Sequence, residues 1–396
     1  MKSKNKHPTR KFRVKQRTLL WVGMFVLGLL FVLAIASGHD LMAVANERDP
    51  LSPKPPDRLL LQTAPIAKPP VLLGLYTDGY AGSQSTIDRE LHQVDEWSGK
   101  KHAIVGIFMD IQGDNPAYNI GHRLELLREN GYTAFINLKS TRLAAEIARG
   151  DLDSDLRRVA SAVADWTNKG DGRMMFVAPL QEMNIEGESY SLDPENFKLS
   201  YKRIQQIFAE SGVSSQAVRW VFSPNGFSRG RNHDFENYYP SDARVDIVGF
   251  SSYNWGYCHS SLNQRRLWDR PEEGYGVYID RMQKMAPDKP IFITQMASSS
   301  YSTPNYPNDL AKEKWLYESY GYLAKAPAVQ AILYFNIQKE CDWALNPQSQ
   351  NAAESYKAIV ANPAFGYADP REIAQVVDSF SQVTLPKPSP MGKVPK

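Results

Sequence analysis

Polar residues that could do acid–base chemistry follow directly after an apolar stretch near the middle of the chain. Residues 174–184 read MMFVAPLQEMN, so the apolar run leads into Gln181, Glu182 and Asn184. A short apolar run of this kind is typical of a buried strand, and polar groups at its end point out of the core. Glu182 is therefore a candidate general acid or base, because a carboxyl group in such surroundings has a raised pKa. An ordinary polar loop after a core strand has the same local pattern, so the rest of the chain must decide.

Seven further segments resemble strands, and helix-like stretches lie between them. The expected strands are residues 71–77, 103–111, 133–138, 174–180, 218–223, 246–252, 291–294 and 329–335. One amphipathic stretch opens at Asp193 with Pro194 and closes at Gly212, which is the usual start and stop chemistry of a helix. Eight strand and helix alternations favour a (β/α)8 barrel, with an open doubly wound sheet as the alternative.

The ends of these strands are rich in aromatic and amide side chains. In a (β/α)8 barrel these ends meet at one face, where the chemistry takes place. Aromatic rings stack on the apolar faces of sugar rings, while amides and carboxylates bond sugar hydroxyls. A sugar site is therefore expected, although several of the rings could simply belong to the core. The candidate contacts are Asp78, Tyr80, Gln181, Asn184, Asn225, Tyr253, Trp255 and Trp343.

The N-terminal 38 residues read as a membrane anchor. Residues 1–17 hold eight Lys or Arg and no acidic residue, and residues 18–38 contain no charge. Twenty-one residues make a helix of about 30 Å, which spans a bilayer core. The basic leader should stay in the cytoplasm, which places the rest of the chain outside. A cleaved signal peptide is the alternative, since AIA at 34–36 and AVA at 43–45 resemble cleavage sites, and the barrel would then be secreted.

Composition bounds the remaining possibilities. The proline-rich segment 39–70 reads as a linker and 382–396 as a tail, which leaves residues 71–381 as one catalytic or binding domain. The positive net charge of +3 comes from the leader, so no nucleic-acid partner is expected. The seven histidines show no metal-ligand spacing, and there is no nucleotide-binding loop or GxSxG motif. We therefore expect a monomer that binds a polysaccharide or oligosaccharide and needs no metal or other cofactor.

Five ordered blocks resemble glycoside hydrolase family 26, the mannanase-like branch of the retaining (β/α)8 glycosidases. They read PLQEMN, RWVFSPNGF, YYPSDARVDIVGFSSYNWG, KPIFITQMAS and ILYFNIQKECDW. The resemblance covers nearly all of residues 71–361. It implies that Glu182 is the general acid/base, that Tyr253 and Asn184 support it, and that the substrate is β-linked.

Two positions depart from the pattern of that family. Gln181 stands where the family commonly has a histidine, and an amide can still donate a hydrogen bond to a sugar. Gln295 stands where the family has its nucleophilic glutamate. A neutral amide cannot form a glycosyl ester, so the usual double displacement is not available.

Four explanations are open. Another carboxylate could act, namely Asp78, Glu186, Glu340 or Asp342. One of these could serve as the base of an inverting reaction with Glu182 as acid. An N-acetyl group of the substrate could replace the nucleophile while Gln295 orients it. Alternatively, the barrel has lost turnover and serves as a glycan-binding pseudoenzyme that assists polysaccharide export or cell-surface assembly.

The two cysteines, Cys258 and Cys341, follow the sixth and eighth expected strands. Both lie in loops on the same face of the expected barrel, and an exported chain can form disulfides. We predict a Cys258–Cys341 bond that ties two site loops together. Two separate thiols are the alternative.

Overall fold

A computed structural model describes residues 68–380, apart from Tyr80, 228–232, Gln264 and 346–349. The expected basic leader, the membrane anchor 18–38, nearly all of the linker and the tail 382–396 lie outside these residues, as does Tyr80. Within the described part of the chain, no helix combines the length and apolar character needed to cross a bilayer.

Eight parallel strands form a closed barrel. They are β1 (Val71–Tyr76), β2 (Ile104–Asp110), β3 (Thr133–Lys139), β4 (Met175–Pro179), β5 (Val218–Phe222), β6 (Ile247–Asn254), β7 (Ile291–Ser298) and β8 (Val329–Phe335). Each strand pairs with the next, and β1 pairs with both β8 and β2, which closes the ring. A two-residue strand β9 (Phe365–Gly366) adds to the start of β1. The expected (β/α)8 barrel is confirmed, and the open-sheet alternative is wrong.

Among the described residues, only a short 3-10 helix, Phe235–Tyr238, follows β5, and the other seven strands are followed by α-helices. They are α1 (Gln84–Ile87), α2 (Gln93–Ser98), α3 (Arg123–Glu129), α4 (Ala144–Arg149), α5 (Asp153–Thr167), α6 (Pro194–Glu210), α7 (Val277–Met285), α8 (Asp309–Lys325), α9 (Gln350–Val360) and α10 (Ile373–Phe380). The start of α6 is the one expected from the sequence: the Asp193 side chain accepts a hydrogen bond from the Asn196 backbone N–H, and Pro194 is the first helical residue.

The last helix covers the N-terminal end of the barrel. Ile373, Val377 and Phe380 of α10 are buried, and the Phe380 ring lies 6.4 Å from that of Phe292 at the start of β7. Phe292 in turn packs edge-on against Phe176 of β4, at 5.3 Å. Apolar side chains therefore close the barrel interior at this end.

Strand β7 is four residues longer than expected. The apolar pattern ends at Thr294, but pairing with β6 continues to Ser298. The pairing shifts by one residue between Phe250 and Ser251, so Ser251 lies opposite Gln295. Such an irregularity re-aims side chains. Gln295 and Tyr253 consequently belong to strands rather than to the loops after them.

Candidate active site

Glu182 lies in a tight turn after β4, and the backbone there is unusual. Leu180 and Glu182 have φ angles of 53° and 55°, in the left-handed region that glycine favours. The Glu182 N–H donates to the Ser223 carbonyl at 2.9 Å, which joins this turn to the end of β5. The left-handed conformation costs about 1–3 kcal/mol at each such residue and persists only where the surroundings impose it. Strain of this kind clusters at functional sites, which supports a functional interpretation of Glu182.

One oxygen of the Glu182 carboxylate is held by two donors. Asn225 Nδ2 donates to Oε1 at 2.7 Å, and Ser251 Oγ donates to the same oxygen in a short hydrogen bond. No donor among the described residues bonds Oε2. The side chain is half-buried, so Oε2 is the oxygen left for a bound molecule.

Burial raises the pKa of the Glu182 carboxyl above its ordinary value. The hydrogen bonds from Ser251 and Asn225 favour the ionised form and oppose this rise. The negative charge of Glu188 adds to the rise, whereas the positive charge of Lys139 opposes it. A raised pKa keeps a larger fraction of Glu182 protonated near neutral pH, as a general acid requires.

Gln295, which the resemblance places at the nucleophile position, has a hydrogen bond at each polar atom of its amide. Its Oε1 accepts from the Tyr253 hydroxyl at 2.6 Å, and its Nε2 donates to Gln181 Oε1 at 2.6 Å. Gln295 and Gln181 are both buried. Burial raises the pKa of the Tyr253 hydroxyl, and the negative charge of Glu182 raises it further, so Tyr253 stays a neutral donor. These three side chains form a neutral, hydrogen-bonded floor.

Asn184 positions the site and does not face it. Its Nδ2 donates to the backbone carbonyls of Asn225 and His233, at 2.9 and 3.0 Å. Its Oδ1 accepts from the Asn225 N–H at 2.8 Å, and the residue has no exposed surface. The expectation of a direct sugar contact is therefore wrong for Asn184. Its amide fixes the loop that carries Asn225.

The aromatic residues at the mouth differ in exposure. Trp255 and Tyr253 are half-buried, with ring centroids 6.4 Å apart. Trp343 is completely buried beneath them, 4.9 Å from Trp255 and 5.3 Å from Tyr253. A ring without exposed surface cannot stack on a sugar, so the prediction of a platform at Trp343 is corrected. Trp343 supports Trp255, which remains a candidate platform.

The loop that carries Trp343 is fixed by a buried lysine and by the disulfide. Lys312 Nζ donates to the carbonyls of Asp342 and Ala344 at 2.5 and 2.9 Å, and burial lowers the pKa of Lys312 to about 8. Cys258 and Cys341 form the disulfide predicted from the sequence, with their Cα atoms 6.0 Å apart. It joins the loop after β6 to the loop after β8.

The other carboxylates named from the sequence lie around the rim. Asp78 is exposed, and its pKa is raised by desolvation and by the nearby charge of Glu90. Both carboxylate oxygens of Asp342 accept from the Ser300 N–H, at 3.2 and 3.1 Å, which makes Asp342 part of the loop structure. Glu186 is exposed and Glu340 half-buried. None of these groups takes the place of Gln295 in its hydrogen-bonded floor.

Sequence reasoning missed two features near Glu182. Ser251 belongs to no motif in the sequence, and only its hydrogen bond in the structure shows that its hydroxyl is directed at Glu182. The ion pair between Lys139 Nζ and Glu188, at 2.5 Å, joins the end of β3 to the turn after β4. Lys139 directly follows the expected strand 133–138 and was therefore detectable, whereas nothing in the sequence distinguished Glu188 from neighbouring acids.

The described residues contain no group of three or more His, Cys, Asp or Glu side chains arranged to hold a metal ion. The chemistry available at the mouth is that of the half-buried Glu182 carboxyl with its raised pKa, several amides and hydroxyls, and aromatic rings. This combination can bind sugar hydroxyls and transfer a proton to a glycosidic oxygen.

Solved structures with the same fold include several mannanases. One is a β-mannanase from a symbiotic protist of the termite Reticulitermes speratus, complexed with a gluco-manno-oligosaccharide. It is 14% identical, with 75% of this chain and 88% of that chain covered and a TM-score of 0.52. A β-mannanase from Bacteroides ovatus is also 14% identical, with coverage of 75% and 90% and a TM-score of 0.52. GH26C from a Muricauda species is 12% identical, with coverage of 81% and 91% and a TM-score of 0.56.

These likenesses confirm the resemblance to glycoside hydrolase family 26 at the level of the fold. No protein-family model matches the chain. No curated protein matches it in sequence.

Proposed function

We propose that this protein cleaves a β-linked polysaccharide at the open end of its barrel, with Glu182 as the general acid. The observation that carries the proposal is the state of Glu182 itself. Its carboxyl is buried enough to have a raised pKa, one oxygen is fixed by Asn225 and Ser251, and the other is left for a ligand. The fold shared with mannanases supports a β-linked glycan as the substrate class.

The reaction proposed is a single displacement by water. Glu182 donates its proton to the departing glycosidic oxygen as the bond from that oxygen to the anomeric carbon breaks. Water attacks the anomeric carbon from the opposite side, and its proton passes to a rim carboxylate, for which Asp78, Glu186 and Glu340 are the candidates. Gln295 orients the sugar or the water by hydrogen bonding, because its amide cannot form a glycosyl ester.

Binding without turnover is the second candidate function, and the neutral floor favours it. Both polar atoms of the Gln295 amide are already bonded to Tyr253 and Gln181. A site of this kind could hold a glycan for export or assembly at the cell surface without cleaving it.

One set of assays separates the two candidates. The full-length protein and its Glu182→Gln variant are incubated with β-mannans, β-glucans and N-acetylated glycans, and both the release of reducing ends and the affinity are measured. Turnover that the substitution abolishes supports the hydrolase. Tight binding without turnover in either protein supports the binding function, and no binding to any glycan contradicts both.

We further propose that residues 18–38 anchor the protein in the cell membrane, with the barrel on the extracytoplasmic side. The uncharged run, the basic leader before it and the positive-inside rule support this orientation. The Cys258–Cys341 disulfide supports an oxidising compartment. The untreated protein should be found in the membrane fraction. Protease added to intact cells or spheroplasts should digest the barrel. Protection from the protease would contradict the orientation, and a soluble extracellular barrel would indicate a cleaved leader.

A further inference from the structure

The two donors to Glu182 leave its carboxyl oxygens in different surroundings. Ser251 is completely buried, and its hydroxyl donates to Oε1. Asn225 Nδ2 donates to the same oxygen at 2.7 Å. A protonated carboxyl has one carbonyl oxygen and one O–H. An oxygen that accepts two hydrogen bonds serves as the carbonyl oxygen, so the proton resides on the other.

Ser251 and Asn225 are fixed to each other through their backbones. The Ser251 N–H donates to the Pro224 carbonyl at 3.0 Å, and the Ser251 carbonyl accepts from the Gly226 N–H at 2.8 Å. Asn225 and Ser251 thereby form an isolated parallel bridge. The Ser251 hydroxyl reaches Glu182 in the turn after β4. The two donors are therefore one rigid unit built at the ends of β5 and β6.

We propose that Ser251, together with Asn225, is a positioning residue that orients the Glu182 carboxyl so that Oε2 carries the proton delivered to the glycosidic oxygen. This assignment rests on the proposed function for its catalytic meaning. The orientation of the carboxyl can nevertheless be measured in the absence of any turnover.

Other titratable groups also influence the pKa of Glu182, and the effect of the Ser251 hydroxyl must be distinguished from theirs. Glu188 from the turn after β4 and Lys139 from β3 influence it through their charges. The negative charge of Glu182 in turn raises the pKa of three tyrosine hydroxyls, those of Tyr76 on β1, Tyr253 on β6 and Tyr190. Replacement of Ser251 by alanine leaves all of these groups in place.

The test is the pKa of Glu182 in the full-length protein labelled with 13C at the glutamate carboxyls. The Glu182→Gln variant identifies the signal. Ser251→Ala removes a hydrogen bond to the ionised form, so the pKa of Glu182 should rise by about 1. Ser252→Ala is the matched control, because the Ser252 hydroxyl one residue further donates to the Gly274 carbonyl and does not contact Glu182. The control should leave the pKa of Glu182 unchanged.

Further variants keep the test decisive. Ser251→Thr retains the hydroxyl and should return the wild-type pKa. If Ser251→Ala does not fold, Asn225→Ser, which removes the other donor to Oε1, should raise the pKa in the same way. An unchanged pKa in the variant that folds, or an equal change in the Ser252 control, would overturn the assignment.

Activity gives a second, independent readout. A general acid works in its protonated form, so the loss of activity at alkaline pH should move to higher pH in Ser251→Ala by the same amount as the pKa. A moved pKa with an unmoved activity profile would contradict a role in proton transfer. If the wild-type protein shows no turnover, the proposed hydrolysis fails while the measured pKa still decides whether the Ser251 hydroxyl acts on the Glu182 carboxyl.

Discussion

At the residue scale, Tyr253 interacts with both Glu182 and Gln295. Its hydroxyl donates a hydrogen bond to Gln295, and the negative charge of Glu182 raises its pKa. Gln181 completes the group by accepting from Gln295. A glutamate at position 295 would accept from Tyr253 in the same way, and Gln181 would need only to rotate its amide to donate. The floor is therefore compatible with either a neutral or a charged side chain at this position.

Gln295→Glu should consequently fold and gain a covalent route. The new carboxylate can attack the anomeric carbon, so turnover should rise by about 10²-fold, the order of a single positioned catalytic group. A slow-reacting fluorinated β-glycoside should leave a glycosyl ester on residue 295, which peptide mass spectrometry detects.

Gln295→Leu is the control for this substitution, since it fills a similar volume and can form no ester. Faster turnover without an adduct at residue 295 would contradict the covalent route. A folded Gln295→Glu variant that is no faster than the wild type would show that position 295 does not face the reacting carbon.

At the element scale, the loops after β6 and β8 depend on each other. The disulfide joins Cys258 to Cys341 across 83 residues of sequence, and both side chains are buried. Trp343, next to Cys341, lies against Trp255 on the first loop. The bond therefore holds the candidate sugar platform as well as the fold.

Replacement of both cysteines by serine should lower the free energy of unfolding by about 2–4 kcal/mol, because the unfolded chain is no longer constrained. It should also weaken glycan binding through a looser Trp255. Thermal unfolding of the wild type with and without reductant checks the first effect, and the double variant, insensitive to reductant, is the control. Identical midpoints for all samples, with both thiols open to alkylation in the native protein, would contradict the role of the bond.

The strands and the start of α6 could be predicted from the sequence because they depend on local patterns. All eight strands lie within a few residues of their expected positions, and α6 begins at Pro194 as expected. The side-chain environment at the mouth could not be predicted in the same way. Trp343 and Asn184 stand among polar loop residues in the sequence, and only the packing of two loops and the bonds to Asn225 bury them. The place of Gln295 depends on a one-residue shift between β6 and β7 that no pattern in the sequence reports.

At the scale of the whole molecule, the two ends of the barrel have different polar groups. Near the start of β2, the buried His102 donates or accepts at both ring nitrogens, with Asp95 at 2.6 Å and Tyr356 at 2.8 Å. Tyr132 also donates to Asp95, and Lys101 lies 3.2 Å from it. This cluster ties α2 and α9 to the barrel at the end opposite Glu182.

The Asp95 cluster makes stability depend on pH. Desolvation acts to raise the pKa of Asp95, but the hydrogen bonds from His102 and Tyr132 and the charge of Lys101 outweigh it, so the pKa is lowered. A lowered folded-state pKa stabilises the fold above the unfolded value of about 3.9 and loses that contribution as pH falls through the folded value. Asp95→Asn should therefore cost about 1–3 kcal/mol at neutral pH, and the difference from wild type should shrink below about pH 4.

Denaturant unfolding of the two proteins between pH 3 and pH 7 measures this difference. Asp88→Asn, which changes a more exposed carboxylate on the same side of the barrel, should stay within about 0.5 kcal/mol of wild type throughout. A constant difference between Asp95→Asn and wild type across this range would show that the ionised form of Asp95 does not stabilise the fold.

The central claim, that Glu182 transfers a proton to a glycan bound at the mouth, is tested most directly by one comparison. The rate of reducing-end release and the affinity for the tightest-bound glycan are measured for the wild type and Glu182→Gln. The glutamine carbonyl can accept from Asn225 and Ser251 while its NH₂ takes the place of Oε2, so the geometry is kept and only the proton is lost. We predict an affinity within a few fold of wild type and a rate lower by about 10²–10⁴-fold. Equal rates for the two proteins, or a loss of affinity that accounts for the whole effect, would contradict the claim.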